Sequence, residues 1–450
     1  KPAPKRRLPI VIGAVVVFVL AVAVGIWYFF VRPTQPPIET ASVEKMAFPL
    51  PDRPSIAVLP FVNMSDDPEH EYFSDGMTDD LITDLSKISG LFVVARNSAF
   101  TYKEKPVKIR QVAEELGVRY VLEGSVRRDE NMVRINAQLL DATTGGHLWA
   151  ERYDEQMEKI FSLQDKITQK IVKSLALTLT GSEQENVASK ETDSIEAYDT
   201  FMQGWKYYRR FTPDDFVKAV SFFETAIELD RNYWLSYAAL ASVYWESFQR
   251  GRSWALPLGV NKREAFRRAD KYLEIAMNNP TPLAYQVATE WHIVRAEHDE
   301  AITAAQRAIA LDPNDPRSHL AMGLALIFAG RHREAVVSIK RAMRLDPFYG
   351  VTIGNFNLCM AYFHMEQFEE AATLCEKALT HNPENFLPLW YLGAAYGHLG
   401  REQEAKAALA KLREKEPRRS RLRSLGGDLK LKNPSDVDLF VDGWRKAGMK

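Results

Sequence analysis

Eight carboxylates crowd the stretch SDDPEHEYFSDGMTDDLITDL, Ser65 to Leu85: Asp66, Asp67, Glu69, Glu71, Asp75, Asp79, Asp80 and Asp84, with His70 among them. Acids at this density could bind a metal or work as a general acid and base. A calcium loop needs glycine sixth and glutamate twelfth. Setting Gly76 sixth places Phe73 third and Ile82 twelfth, so two ligand positions are apolar and the loop fails. The hydrophobic period explains the stretch better. Phe73, Met77, Leu81, Leu85 and Ile88 recur every three or four residues, one stripe of an amphipathic helix. Asp67 before Pro68 fits an N-cap followed by proline at the first helical position. The acids between the apolar positions read as a solvated face, each near the helix start favoured by about 0.3–1 kcal/mol.

No other constellation suggests chemistry. There is no Walker loop, no G-x-S-x-G and no H-E-x-x-H, and TTGGH at Thr143–His147 reads as a hairpin turn. His292 and His298 are six apart, which sets them on different helical faces. No catalytic residue, metal ligand or cofactor is expected. A net charge of −1 over 450 residues argues against a dedicated nucleic-acid binder. The two cysteines, Cys359 and Cys375, are too few for a disulfide framework. Their default is a pair of buried thiols, with a disulfide open in an oxidising compartment.

The elements that position these residues fall into blocks. Lys1, Lys5, Arg6 and Arg7 form a basic tail over 1–9, and Ile10 to Val31 run without a charge. That length suits a transmembrane helix. The positive-inside rule then puts the tail in the cytoplasm and residues after 32 outside it, in the periplasm of a single-pass inner-membrane protein. Residues 32–53 hold Pro33, Pro36, Pro37, Pro49 and Pro51, a semi-rigid linker. The first residue is Lys1 and not methionine, so a processed chain or a fragment is expected.

From 54 to 180 the pattern is βαβαβββα. PSIAVLPFVNM, LFVVARNSAF, YVLEGSVRR, MVRINAQLLDA and HLWAERYDE read as strands, and VKIRQVAEELGV as a helix closed by Gly117. The last helix carries Ile160, Leu163, Ile167, Ile171 and Leu175 on one stripe. A linker is expected at 181–194.

Over 195–417 the chain repeats. AIALDP, AMRLDP and ALTHNP place Pro313, Pro347 and Pro383 at spacings of 34 and 36, with Pro417 following. Glu300-Ala301, Glu334-Ala335, Glu370-Ala371 and Glu404-Ala405 keep step, and Gly330 and Gly400 mark turns. This period, with small residues at helix crossings and a terminal proline, resembles the tetratricopeptide repeat, about six copies. Such a stack leaves a concave groove lined by each repeat's first helix. Leu320, Leu324, Ile327, Ile353, Phe356, Met360, Phe363, Leu387 and Trp390 fall at groove-facing spacing, where they either pack against neighbouring helices or hold a protein or peptide partner. Residues 418–450 form a C-terminal region whose helix, around Leu439–Trp444, would cap the array or lie in the groove.

The motifs at 54–103, 115–128 and 133–154 resemble the TolB-like N-terminal domain. The whole order resembles the C-terminal part of bacterial membrane-bound class III adenylate/guanylate cyclases. The fold class expected is therefore α+β multidomain: one transmembrane helix, a TolB-like domain and an all-α repeat solenoid. The resemblance implies a sensory or protein-interaction region, with cyclic AMP made from ATP by a two-metal domain before Lys1. Dimerisation would be the geometric route for a signal across one helix. The alternatives are the periplasmic part of a membrane-bound winged-helix transcription regulator, or a free-standing anchored scaffold.

Overall fold

The computed structural model describes residues 40–129, 131–348, 350–415 and 429–449. The described residues from Ala41 onward form one compact unit. Within that unit β1 (Ser55–Val58) and β2 (Val62–Asn63) precede α1 (Glu71–Ser86). Then come β3 (Phe92–Val93), α2 (Ile109–Leu116), β4 (Tyr120–Asp129), β5 (Met132–Asp141), β6 (Gly146–Gln156) and α3 (Ile160–Ser174). The sheet runs β3-β1-β4-β5-β6, with β2 paired to β4. β1 lies parallel to β3 and β4, while β4, β5 and β6 are antiparallel.

Each sheet face has its own core. Ile56, Val58, Leu122, Val133 and Ile135 meet α1 and α3 on one side. Ala57, Phe92, Val94 and Val121 meet Val112, Ala113 and Leu116 of α2 on the other. Residues of the proline-rich stretch join that second side: Ala41 is buried, and its N–H donates to the Ala142 carbonyl at 2.7 Å.

A short helix, α4 (Gly181–Ala188), starts at a capping box between Thr180 and Glu183. Six helix pairs follow: α5 (Ile195–Arg210) with α6 (Pro213–Leu229), α7 (Trp234–Arg250) with α8 (Lys262–Ala276), and α9 (Pro282–Val294) with α10 (His298–Leu311). After these stand α11 (Pro316–Phe328) with α12 (His332–Leu345), α13 (Gly350–His364) with α14 (Phe368–His381), and α15 (Leu387–His398) with α16 (Glu402–Lys415). Thr281 and Asp315 cap α9 and α11, each with proline in the first turn. Ala301, Ala335, Ala371 and Ala405 are fully buried, because only a small side chain fits where paired helices touch. Ala296, Gly330, Glu366 and Gly400 all take positive φ at the turn within a pair. The last helix, α17 (Pro434–Lys446), packs against α15 and α13.

Three expectations need correction. The single transmembrane helix is not supported. Among the described residues no helix is long and apolar enough to cross a membrane. The described helices reach 17 residues at most, and α6 and α7 of that length carry charges, whereas a span needs about 20 apolar residues. The stretch expected to span, 10–31, lies outside the described residues, as do the basic tail and the first prolines of the linker. The described fold is largely helical, with tetratricopeptide-like pairs and a small mixed sheet. Second, the single-pass inner-membrane placement, with residues after 32 in the periplasm, rested on that span and falls with it.

Third, the acids of α1 do not face solvent. Phe73, Met77, Leu81 and Leu85 bury into the sheet core as their spacing requires. The opposite side of α1 is covered too, by α3 and α5. Asp80 accepts from the Tyr198 hydroxyl and from Gln164 Nε2. Asp79 pairs with Arg96 and Arg209. Asp79 and Asp80 thus form a joint between domain and repeats, while Asp66, Asp67 and Glu69 at the start of the stretch are exposed as expected. Cys359 and Cys375 are disulfide-bonded, tying α13 to α14.

Candidate partner groove and its C-terminal helix

The first helices α11, α13 and α15 stand side by side, and each packs on the next. α13 and α15 have apolar residues on every side, so both can be buried against a partner helix and against something more. Leu320 and Leu324 on α11 are half-buried and Ile327 is buried. On α13, Ile353 is 48% exposed, Phe356 is half-buried, and Met360 and Phe363 are buried. On α15, Leu387 is 42% exposed and Trp390 is buried.

α17 covers Phe363 and Trp390. Phe440 sits 6.0 Å from Phe363 and 5.0 Å from Tyr391, ring centre to ring centre. Trp444 lies edge-on to Trp390 at 6.3 Å. Phe440 and Trp444 are four apart on one face of α17, and both are fully buried. Close approach depends on glycine: a Cβ on Gly393 would overlap the Trp444 ring, and one on Gly397 would overlap the Gly443 carbonyl. The leading segment crosses the turn of the fourth repeat, where Lys432 N–H donates to the Phe328 carbonyl at 2.8 Å. The Lys432 ammonium meets Asp299 at 2.9 Å.

The groove-facing spacing thus contains two kinds of position. Phe363, Met360 and Trp390 are packed, Phe363 against Phe368, Tyr391, His398 and Phe440. Ile353 and Leu387, near the N-terminal ends of their helices, stay open. Sequence reasoning passed over Tyr391, His332, His364 and Asp436, which lie around the seat of α17. Asp436 and His332 meet at 3.1 Å, and His364 meets Tyr391 at 3.2 Å. Burial and the neighbouring His332 hold the His364 imidazole down to about 3, so it is neutral.

The architecture defines a chain that contains tetratricopeptide repeats, and profile matches agree: Tetratricopeptide repeat families match residues 316–349 and 362–429. Residues 52–170 match the family described as "HilA/YgeH-like transcriptional regulator, second domain"; the TolB-like assignment is not confirmed. A Rhizobium meliloti (strain 1021) protein named "Putative adenylate cyclase 3" is 42% identical over 282 residues, covering 63% of this chain and 42% of that protein. The match therefore spans less than half the relative's length. Among solved structures, PilW, a type IV pilus biogenesis factor, is 18% identical and covers 49% of this chain and 94% of its own, with TM-score 0.37. YrrB, titled a TPR protein with an unusual peptide-binding site, is 17% identical, covers 44% and 93%, and has TM-score 0.30.

Proposed function

We propose that this chain is the regulatory, partner-binding part of an adenylate cyclase-like signalling protein, and that α17 occupies the groove a partner helix would take. The repeats support a protein-interaction role, and the 42% identity to the Rhizobium protein supports the cyclase-like context. The observation that carries the reading is the seating of Phe440 and Trp444 across Phe363, Tyr391 and Trp390. An amphipathic helix on an apolar groove is a recurrent mode of peptide recognition. A helix supplied by the chain itself competes at high effective concentration, so a partner must exceed that to enter. Ile353, Phe356 and Leu387 would give an incoming partner its first apolar foothold.

The test uses the chain cut after residue 415 and a labelled peptide of residues 429–449. Anisotropy should show saturable binding to the shortened chain, and binding at least tenfold weaker to the intact chain. No binding to a shortened chain that keeps its helical circular dichroism, or equal binding to both, would sink the proposal.

A second reading has its own support. The family matched over 52–170 is a transcriptional regulator's, which supports a winged-helix partner domain as the alternative to a cyclase domain. The coding sequence upstream of Lys1 separates the two.

A further inference from the structure

We infer that His332, His364 and Asp436 form a binding site for a divalent cation of the zinc class, and that this ion pins the C-terminal helix onto the repeats. The three residues come from three elements. His332 opens α12, His364 closes α13, and Asp436 lies in the first turn of α17. One ligand atom from each falls within 4.8 Å of the other two. The imidazoles stack with centres 5.0 Å apart at 18°.

Burial makes the cluster more than a chance neighbourhood. His364 and Asp436 are 7% and 9% exposed. Nδ1 of both histidines is buried and has no hydrogen-bond partner among the described residues. Leaving such a nitrogen unsatisfied is costly, and a metal ion on His364 Nδ1 would meet that need. Neutral imidazole is the form that binds metal.

Two nitrogens and one carboxylate oxygen suit zinc, cobalt or nickel and not magnesium or calcium, which require oxygen donors. Tetrahedral zinc sets its ligand atoms about 3.3 Å apart, so the widest pair must close by at most about 1.5 Å. The Tyr391 hydroxyl, 3.2 Å from His364 Nε2, would orient that ring from behind. A cavity of about 610 Å³ opens beside the two histidines, lined also by Glu334 and Glu366. It supplies an entry path and room for a water in the fourth position.

Metal binding stands on this cluster alone; the pinning rests on the reading of α17 as the groove's occupant. The experiment takes the untagged 450-residue chain, stripped with chelator, and titrates it with Co(II). One equivalent should bind with the intense visible bands of a four-coordinate site, and Zn(II) should displace it. His364→Ala should abolish the bands, and Asp436→Asn should weaken binding at least tenfold while leaving the helical circular dichroism unchanged. Zn(II) should slow amide exchange in residues 439–446 at least tenfold in the parent chain and not in Asp436→Asn. The site is overturned if no stoichiometric binding occurs, or if Asp436→Asn and His332→Ala bind as the parent does. The pin is overturned if zinc binds without protecting α17. Failure of the peptide experiment with cobalt binding intact would remove the groove reading and leave the site.

Discussion

Asp312 and Asp346 stand one 34-residue repeat apart, and each accepts a hydrogen bond from a serine of the α/β domain: Ser86 Oγ at 2.7 Å and Ser98 Oγ at 2.5 Å. The aspartate that precedes the repeat's terminal proline is thus used twice to fasten the domain to the array. Asn314 adds to it, its amide facing the carbonyls of Ser86, Ile88 and Leu91 at 2.9–3.1 Å. Arg344 donates to the carbonyls of Leu116 and Gly117. Leu345 enters the core of the α2 side of the sheet.

Asn314→Ala should destabilise the chain by about 1–3 kcal/mol, because buried carbonyls lose their donor. Urea unfolding of the parent and variant measures it. A loss under about 0.5 kcal/mol would mean the joint adds nothing to stability.

The joint should weaken as pH rises. Burial, with the charges of Asp79 and Asp84, pushes the Asp80 carboxyl up to about 8. Burial and Asp315 push Asp312 up to about 7. Both sit above the unfolded value near 4, so the folded state holds the extra protons. Their contribution is fully present below pH 4 and is lost as pH climbs through 7 and 8. Thermal melts from pH 5 to 9 should fall, by an amount on the order of a few kcal/mol. Asp80→Asn, which stays neutral, should flatten the fall; an unchanged slope would remove Asp80 as its source.

Asp79 holds two cations, Arg96 and Arg209, at partly buried positions. Asp79→Ala leaves both unpaired and should cost roughly 2–4 kcal/mol. Adding Arg209→Ala should recover part of that loss. A double variant whose loss equals the sum of the two single losses would show the pair to be uncoupled.

Phe363 and Ile353 separate packing from access within the groove. Phe363→Ala should cost about 3–5 kcal/mol, since its ring is enclosed by five others. Ile353→Ser, at a site 48% exposed, should change stability by about 0.5 kcal/mol or less. Calorimetry on the two variants compares them directly, and similar losses would contradict the burial described.

Local periodicity made much of the array legible. The 34-residue step, the buried alanines and the glycines at helix turns are properties of a chain packing against its own near neighbours. The same holds for the stripe Phe73, Met77, Leu81 and Leu85, whose spacing alone puts it in a core. Tertiary structure decided what became of the residues between. A polar side chain on a helix is solvated or buried according to what covers it, and α5, more than a hundred residues later, covers Asp79 and Asp80. An all-apolar helix likewise does not reveal which side stays open; α17 determines that for α13 and α15. His332, His364 and Asp436 are separated by 32 and 72 positions, so no spacing rule joins them. Stacking of two repeats brings the histidines together, and the return of the chain delivers the aspartate, because helix packing converts sequence distance into a fixed neighbour only after the whole array has formed.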